Sequence, residues 1–123
     1  MTMSGETSAP PRQELVPAAA LFHSLSDTTR LAIVQRLAAG EARVVDLTVR
    51  LGLAQSTVSA HLACLRDCGL VQGRPEGRQM FYALTRPELL DLLAAAQTLL
   101  GATGSAVALC PNFGAEVSGV RGE

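Results

Sequence analysis

At 123 residues the chain is long enough for one independently folding domain and short for two. It is 48% hydrophobic but 3% aromatic, so its core must be aliphatic, and no run of about eighteen apolar residues is present to span a bilayer. Net charge is −1, and no charged-then-apolar leader opens the chain, so a cytoplasmic protein without a membrane partner is expected.

In chain order, residues 1–13 hold Ser, Gly, Thr and adjacent prolines and predict a disordered tail. Residues 14–101 carry all the periodic segments, and residues 102–123 form a C-terminal tail. From Glu14 to Leu25, Leu15, Ala18, Leu21, Phe22 and Leu25 recur at helical spacing; His23 in this helix reads as an ordinary surface or core residue. Ser26 is placed to cap a second helix, whose stripe is Leu31, Val34, Leu37 and Ala38, with Ala39-Gly40 at its end. A short helix follows over Val45 to Leu51, with Leu47 and Leu51 on one side, and Gly52 supplies a sharp turn.

The next helix begins at Gln55. Val58, Leu62 and Leu65 mark its buried face; Gln55, Ser56, Ser59 and Ala60 lie away from it, near the start. Gly69 stands where a left-handed C-terminal cap favours glycine. Leu70-Val71, a polar Gln72 to Gln79 tip with Gly and Pro, and Met80 to Leu84 read as a β-hairpin. The last helix, Pro87 to Gly101, opens with Thr85 and Glu88 at capping-box spacing. Its wide apolar face of Leu89, Leu90, Leu93, Ala96, Leu99 and Leu100 exceeds what a small domain can cover, which predicts pairing with a second copy. The fold class is therefore mainly α with a small β-hairpin.

Two short helices around a glycine turn make a helix-turn-helix, whose second helix enters the DNA major groove N-terminus first. Gln55, Ser56, Thr57, Ser59 and His61 are the candidate contacts on that helix. A hairpin directly after it is a wing, with Arg74, Arg78 and Gln79 as candidate contacts to phosphate or the minor groove. Charge supports this reading. Between Arg30 and Arg86 eight arginines face four acids, a net +4, while residues 1–29 sum to −2 and 87–123 to −3. The alternatives are a helical hairpin with no DNA role and ordinary solvated charges.

Ser26-Asp27-Thr28-Thr29-Arg30-Leu31, the run Gln55 to Leu62, Gly69-Leu70-Val71 and the run Glu76 to Tyr82 together resemble the ArsR/SmtB family of winged-helix metalloregulatory repressors, over roughly Glu14 to Gly101. The resemblance implies a homodimer, built through the first and last helices, that binds double-stranded operator DNA and leaves it when an inducer binds. It also implies two absences. Arg43 and Val45 stand where the arsenic-type site of the family has cysteines, and the last helix offers Glu88 and Asp91 but no histidine for the zinc-type site.

Three cysteines, an odd number, in an intracellular chain argue for thiols or metal ligands over a disulfide framework. Cys64 and Cys68 are four apart on the second helix of the motif, so both project from one face and can share an ion. Cys110 lies in the apolar island Ala106 to Phe113 and can bring a third sulfur. Three sulfurs favour a soft, thiophilic ion. The arrangement resembles the cadmium- and lead-responsive CmtR-type sensors, which implies Cys64, Cys68 and Cys110 as ligands and Cd2+ or Pb2+ as inducer, with Zn2+ or arsenite as alternatives. His61 is more apt for DNA contact or helix packing than for ligation. The competing readings are a redox-responsive repressor using the same thiols, and cysteines that simply pack as small hydrophobes. A thiol oxidoreductase is not expected, because there is no CxxC motif beside a βαβ unit.

Overall fold

The structure, a computed structural model, describes residues 11–104. Most of both predicted tails, with Cys110, lies outside the described residues. A 3-10 turn at Arg12–Leu15 leads into α1 (Val16–Ser24), so helical structure begins two residues before Glu14. Then come α2 (Thr28–Leu37), β1 (Ala42–Arg43), α3 (Val44–Leu51), α4 (Gln55–Asp67), β2 (Val71–Glu76), β3 (Gln79–Leu84) and α5 (Pro87–Thr103).

The core is aliphatic, as composition required. Ile33, Val34 and Leu37 of α2, Leu47 of α3 and Val58, Leu62 and Leu65 of α4 meet Leu25, Ala42, Leu70, Val71 and Leu89. Burying one such leucine fully contributes about 1.5–3 kcal/mol. The α4 stripe is the predicted one. That of α2 is rotated: Ile33 is fully buried, Leu31 half-buried and Ala38 exposed. In α1 the stripe is largely uncovered, with Leu15 and Phe22 more than half exposed and only Ser24 and the following Leu25 buried. Helix α5 commits Leu89 to the core, packs Leu92 and Leu93 at its margin, and leaves Leu90, Leu99 and Leu100 exposed.

Helix ends correct two expectations. The cap of α2 is Asp27, not Ser26: its carboxylate accepts from the Thr29 and Arg30 N–H groups at 2.7 and 3.1 Å, while the Ser26 hydroxyl donates back to the His23 carbonyl. A carboxylate is also the better match for the positive end of a helix. Thr85 does not cap α5. Arg86 holds that position, and Thr85 instead donates its hydroxyl to the Gly69 carbonyl (2.6 Å) and its N–H to that of Leu70 (3.0 Å), tying the end of β3 to the end of α4. The turn between α3 and α4 is as read: Gly52 has φ +68°, a left-handed cap that L side chains adopt only with strain.

The sheet is larger than the predicted hairpin. Its order is β1-β3-β2, all antiparallel, and Ala42 and Arg43 pair opposite Tyr82 and Phe81. Two residues carry no period, so β1 could not be read from sequence. The hairpin strands also run further than expected. Val71 sits opposite Leu84 and Glu76 opposite Gln79, leaving Gly77 and Arg78 as a two-residue turn, with Gly77 at φ +64°. Gly73 and Pro75 read as turn residues. Pro75 is tolerated in β2 because that strand lies at the sheet edge, where a missing N–H need not break a ladder bond.

Candidate nucleic-acid interface and thiol site

Helix α3, the Gly52 turn and helix α4 form the helix-turn-helix, and β2 and β3 form the wing. Gln55, Ser56, Thr57 and Ser59 are all exposed on the first turns of α4. No side chain caps this helix, so its leading N–H groups face outward together with the positive end of the helix dipole. His61 is half-buried, and its Nδ1 accepts from Arg30 Nε at 3.0 Å. The Nδ1 lone pair of the ring is the acceptor in that bond. Arg30 Nη1 also donates to the Ser24 carbonyl at 3.1 Å, so one guanidinium joins the end of α1 to the middle of α4. Arg30 lies in the Ser26 to Leu31 run, but no local spacing marks this role, which depends on a partner 31 positions away.

In the wing, Arg78 lies in the turn and is exposed. Arg74 is not at the tip. It sits inside β2, opposite Phe81, with its guanidinium over that ring at 5.1 Å from the centroid. Its Nε and Nη2 donate to the two Glu41 oxygens, each at 2.9 Å, and Nη1 donates to Glu76. Hydrogen bonding from Arg74 holds the Glu41 carboxyl below its ordinary range, and the two carboxylates push the Arg74 pKa up. Gln79 Oε1 accepts from Arg43 Nη1 at 2.9 Å. Arg43 also grips Asp46 at 2.8 Å, so the start of α3 and the base of the wing turn are clamped together.

Cys64 is half-buried in α4 and Cys68, exposed, is the residue that caps its C-terminal end; both are free thiols. They face the same oxygen. Cys68 Sγ lies 3.4 Å and Cys64 Sγ 3.9 Å from the hydroxyl of Ser24, the last residue of α1. Ser24 is only 3% exposed, the one buried polar side chain among the described residues. The four-residue spacing therefore does set both sulfurs on one face, turned toward α1. Among the described residues no group of three or more His, Cys, Asp or Glu side chains could hold a metal ion. No local pattern marks Ser24, because its partners lie 40 and 44 positions away.

Residues 27–72, from the α2 cap to the start of β2, match the profile described as "Bacterial regulatory protein, arsR family". Over 98 residues the chain is 34% identical to the probable mercury resistance operon repressor of Streptomyces lividans, covering 80% of this chain and 78% of that protein. The chain belongs to the ArsR family. It is also 46% identical over 75 residues to the HTH-type transcriptional regulator CmtR of Mycobacterium tuberculosis, covering 61% of this chain and 64% of CmtR. The solution structure of a homodimeric winged helix-turn-helix DNA-binding domain from Mycobacterium bovis, a possible ArsR-family regulator, superimposes with a TM-score of 0.67 at 30% identity, over 80% of this chain and 91% of that one. Fold and relatives alike are those of DNA-binding transcriptional regulators, not enzymes. Arg43 is committed to an ion pair with Asp46, and Val45, Glu88 and Asp91 are exposed. Among the described residues no helix is long and apolar enough to cross a membrane.

Proposed function

We propose that this protein is a homodimeric repressor that grips operator DNA through α4 and the wing and lets go when a thiophilic ion, cadmium or lead, is held by Cys64, Cys68 and Cys110. The observation that carries this reading is the convergence of two free thiols of the reading helix on one buried hydroxyl, at 3.4 and 3.9 Å. The donor chemistry fits. Two sulfurs side by side suit a soft ion and offer little to magnesium or calcium. Mercury resistance in the name of the Streptomyces relative points to the same class of ion.

Each residue then has a task. Gln55, Ser56, Thr57 and Ser59 reach base edges and the adjacent phosphates from the groove-facing end of α4. Arg78 meets phosphate from the wing turn, with Gln79 beside it. Arg74 positions the wing, and His61 pins α4 to Arg30. The uncovered Leu15, Val16 and Phe22 near the start and Leu90, Leu99 and Leu100 on α5 close against a second copy; the M. bovis domain is likewise a homodimer. A bound divalent ion supplies a positive centre that replaces the thiol protons and draws the sulfurs together. Cys64 and Cys68 hold it at the C-terminal end of α4, so its arrival changes the setting of the helix that reads DNA. Cys110 supplies the third sulfur of the proposed ligand set.

The test is an anisotropy titration of the dimer on the duplex upstream of its own gene, with and without cadmium. Cadmium is expected to weaken wild-type binding about 5- to 150-fold, the usual range of coupling between two sites. Replacing Cys64, Cys68 or Cys110 by Ser should each reduce the effect. Undiminished release by cadmium in the Cys64→Ser, Cys68→Ser double variant would overturn the metal reading and leave the repressor reading standing.

A further inference from the structure

The thiols do not end at the thiols. Ser24 touches both sulfurs through its hydroxyl, and its own carbonyl receives Arg30 Nη1 at 3.1 Å. The same guanidinium donates to His61 Nδ1 at 3.0 Å. His61 lies on α4 one turn before Cys64, toward the end that carries Gln55 to Ser59. A closed path therefore runs from the thiols to Ser24, to Arg30, and back to the reading helix. We propose that Ser24 is the positioning residue that links the state of the thiol pair to the DNA-reading half of α4. This rests on the metal reading above.

The physical argument starts from the hydrogen-bond inventory. The Cys68 thiol donates to the Ser24 hydroxyl. Two thiolates around an ion have no proton to donate and can only accept. The hydroxyl must then turn to donate to sulfur, or shift as the sulfurs close on the ion. Ser24 is 3% exposed and stands at the end of α1, so it has no free space in which to shift alone. Its carbonyl moves with it, and the two bonds of Arg30 share one rigid plane. Displacing one end of that plane misaligns the other, which frees His61 and the middle of α4. The end of α1 moves as well, and α1 is part of the uncovered apolar surface assigned to the second copy.

The experiment compares the wild type with Ser24→Ala and Arg30→Met as full-length protein, using cadmium chloride as the probe. Cadmium occupancy is read from the sulfur-to-cadmium absorbance band. Coupling is read as the ratio of operator affinities without and with cadmium. A third readout is the Arg30 Nε–H proton resonance, held by His61 in the ion-free protein. In the wild type, cadmium should weaken operator binding about 5- to 150-fold and should shift that resonance. Ser24→Ala should keep the absorbance band, leave the resonance unmoved on cadmium addition, and bring the ratio to within about threefold of unity. Arg30→Met should lower the ratio similarly, and the two changes together should do no more than either alone, as for members of one path. A Ser24→Ala protein that binds cadmium and releases DNA like the wild type overturns the proposal. So does one that no longer binds cadmium, since Ser24 would then be a ligand and not a link. Retention of both band and release in the Cys64→Ser, Cys68→Ser double variant would instead sink the metal reading itself.

Discussion

The Asp46 carboxylate takes three bonds from one residue. Arg43 donates to it from its guanidinium at 3.1 and 2.8 Å and from its backbone N–H at 3.0 Å. Those bonds, the side-chain ones foremost, hold its pKa at about 2, against an ordinary 3.8. A carboxyl whose pKa is lowered by folding stabilises the fold fully above its unfolded value, and that contribution disappears as pH falls through the folded one. The Asp46 contribution is thus complete above about pH 4 and gone near pH 2. Asp46→Asn should be less stable than the wild type in urea unfolding at pH 7, with the gap closing between pH 4 and pH 2. A gap that persists at pH 2 would mean that the asparagine disturbs packing instead of charge. Ser24 and Arg30 make the complementary point at this scale. No local spacing marks either contact, yet each side chain connects helices that are far apart in the chain.

Among the elements, the wing separates two arginines that sequence alone treats as equals. Arg78 occupies the two-residue turn with no ionic partner among the described residues, whereas Arg74 lies within β2, paired with Glu41 and Glu76. A phosphate contact releases counterions only where a free cation is brought to DNA. Arg78→Ala should therefore lower operator affinity and reduce the slope of log affinity against log salt by about 1 per protomer. Arg74→Ala should alter that slope much less, because its charge is already compensated; any loss of affinity comes from a wing no longer held to the α2–β1 connection. Anisotropy across several salt concentrations distinguishes the two. Equal slope changes would show that Arg74 leaves its carboxylates to meet DNA. Helix α4 shows the same division along its length, with a polar exposed start, a core stripe of Val58, Leu62 and Leu65, and thiols at the end.

For the molecule as a whole, the decisive feature is apolar surface that one chain leaves open. Leu99 is 63% and Phe22 57% exposed, and α5 gives the core Leu89 as its only fully buried residue. Exposed apolar surface of this extent marks an interface. A dimer also presents two reading helices to two half-sites, which multiplies affinity through effective concentration. Leu99→Asp should sediment as a monomer where the wild type is a dimer, and should bind operator about 100-fold more weakly. Its helix content should be unchanged, because Leu99 is not among the residues packed on the core. A dimeric Leu99→Asp protein would place the interface elsewhere.

Periodicity sufficed for what is local. The buried face of α4, the Gly52 turn and the pairing of Cys64 with Cys68 all follow from spacings of a few residues, because a helix repeats every 3.6 residues and a left-handed turn selects glycine. Where geometry depends on residues distant in sequence, the chain gave no such guide. The third strand, the rotated stripe of α2, the Asp27 cap in place of Ser26, the withdrawal of Arg74 from the wing tip and the Ser24 hydroxyl between α1 and the thiols belong to that class. Several local patterns were compatible with each of these, and packing against a partner dozens of residues away chose among them.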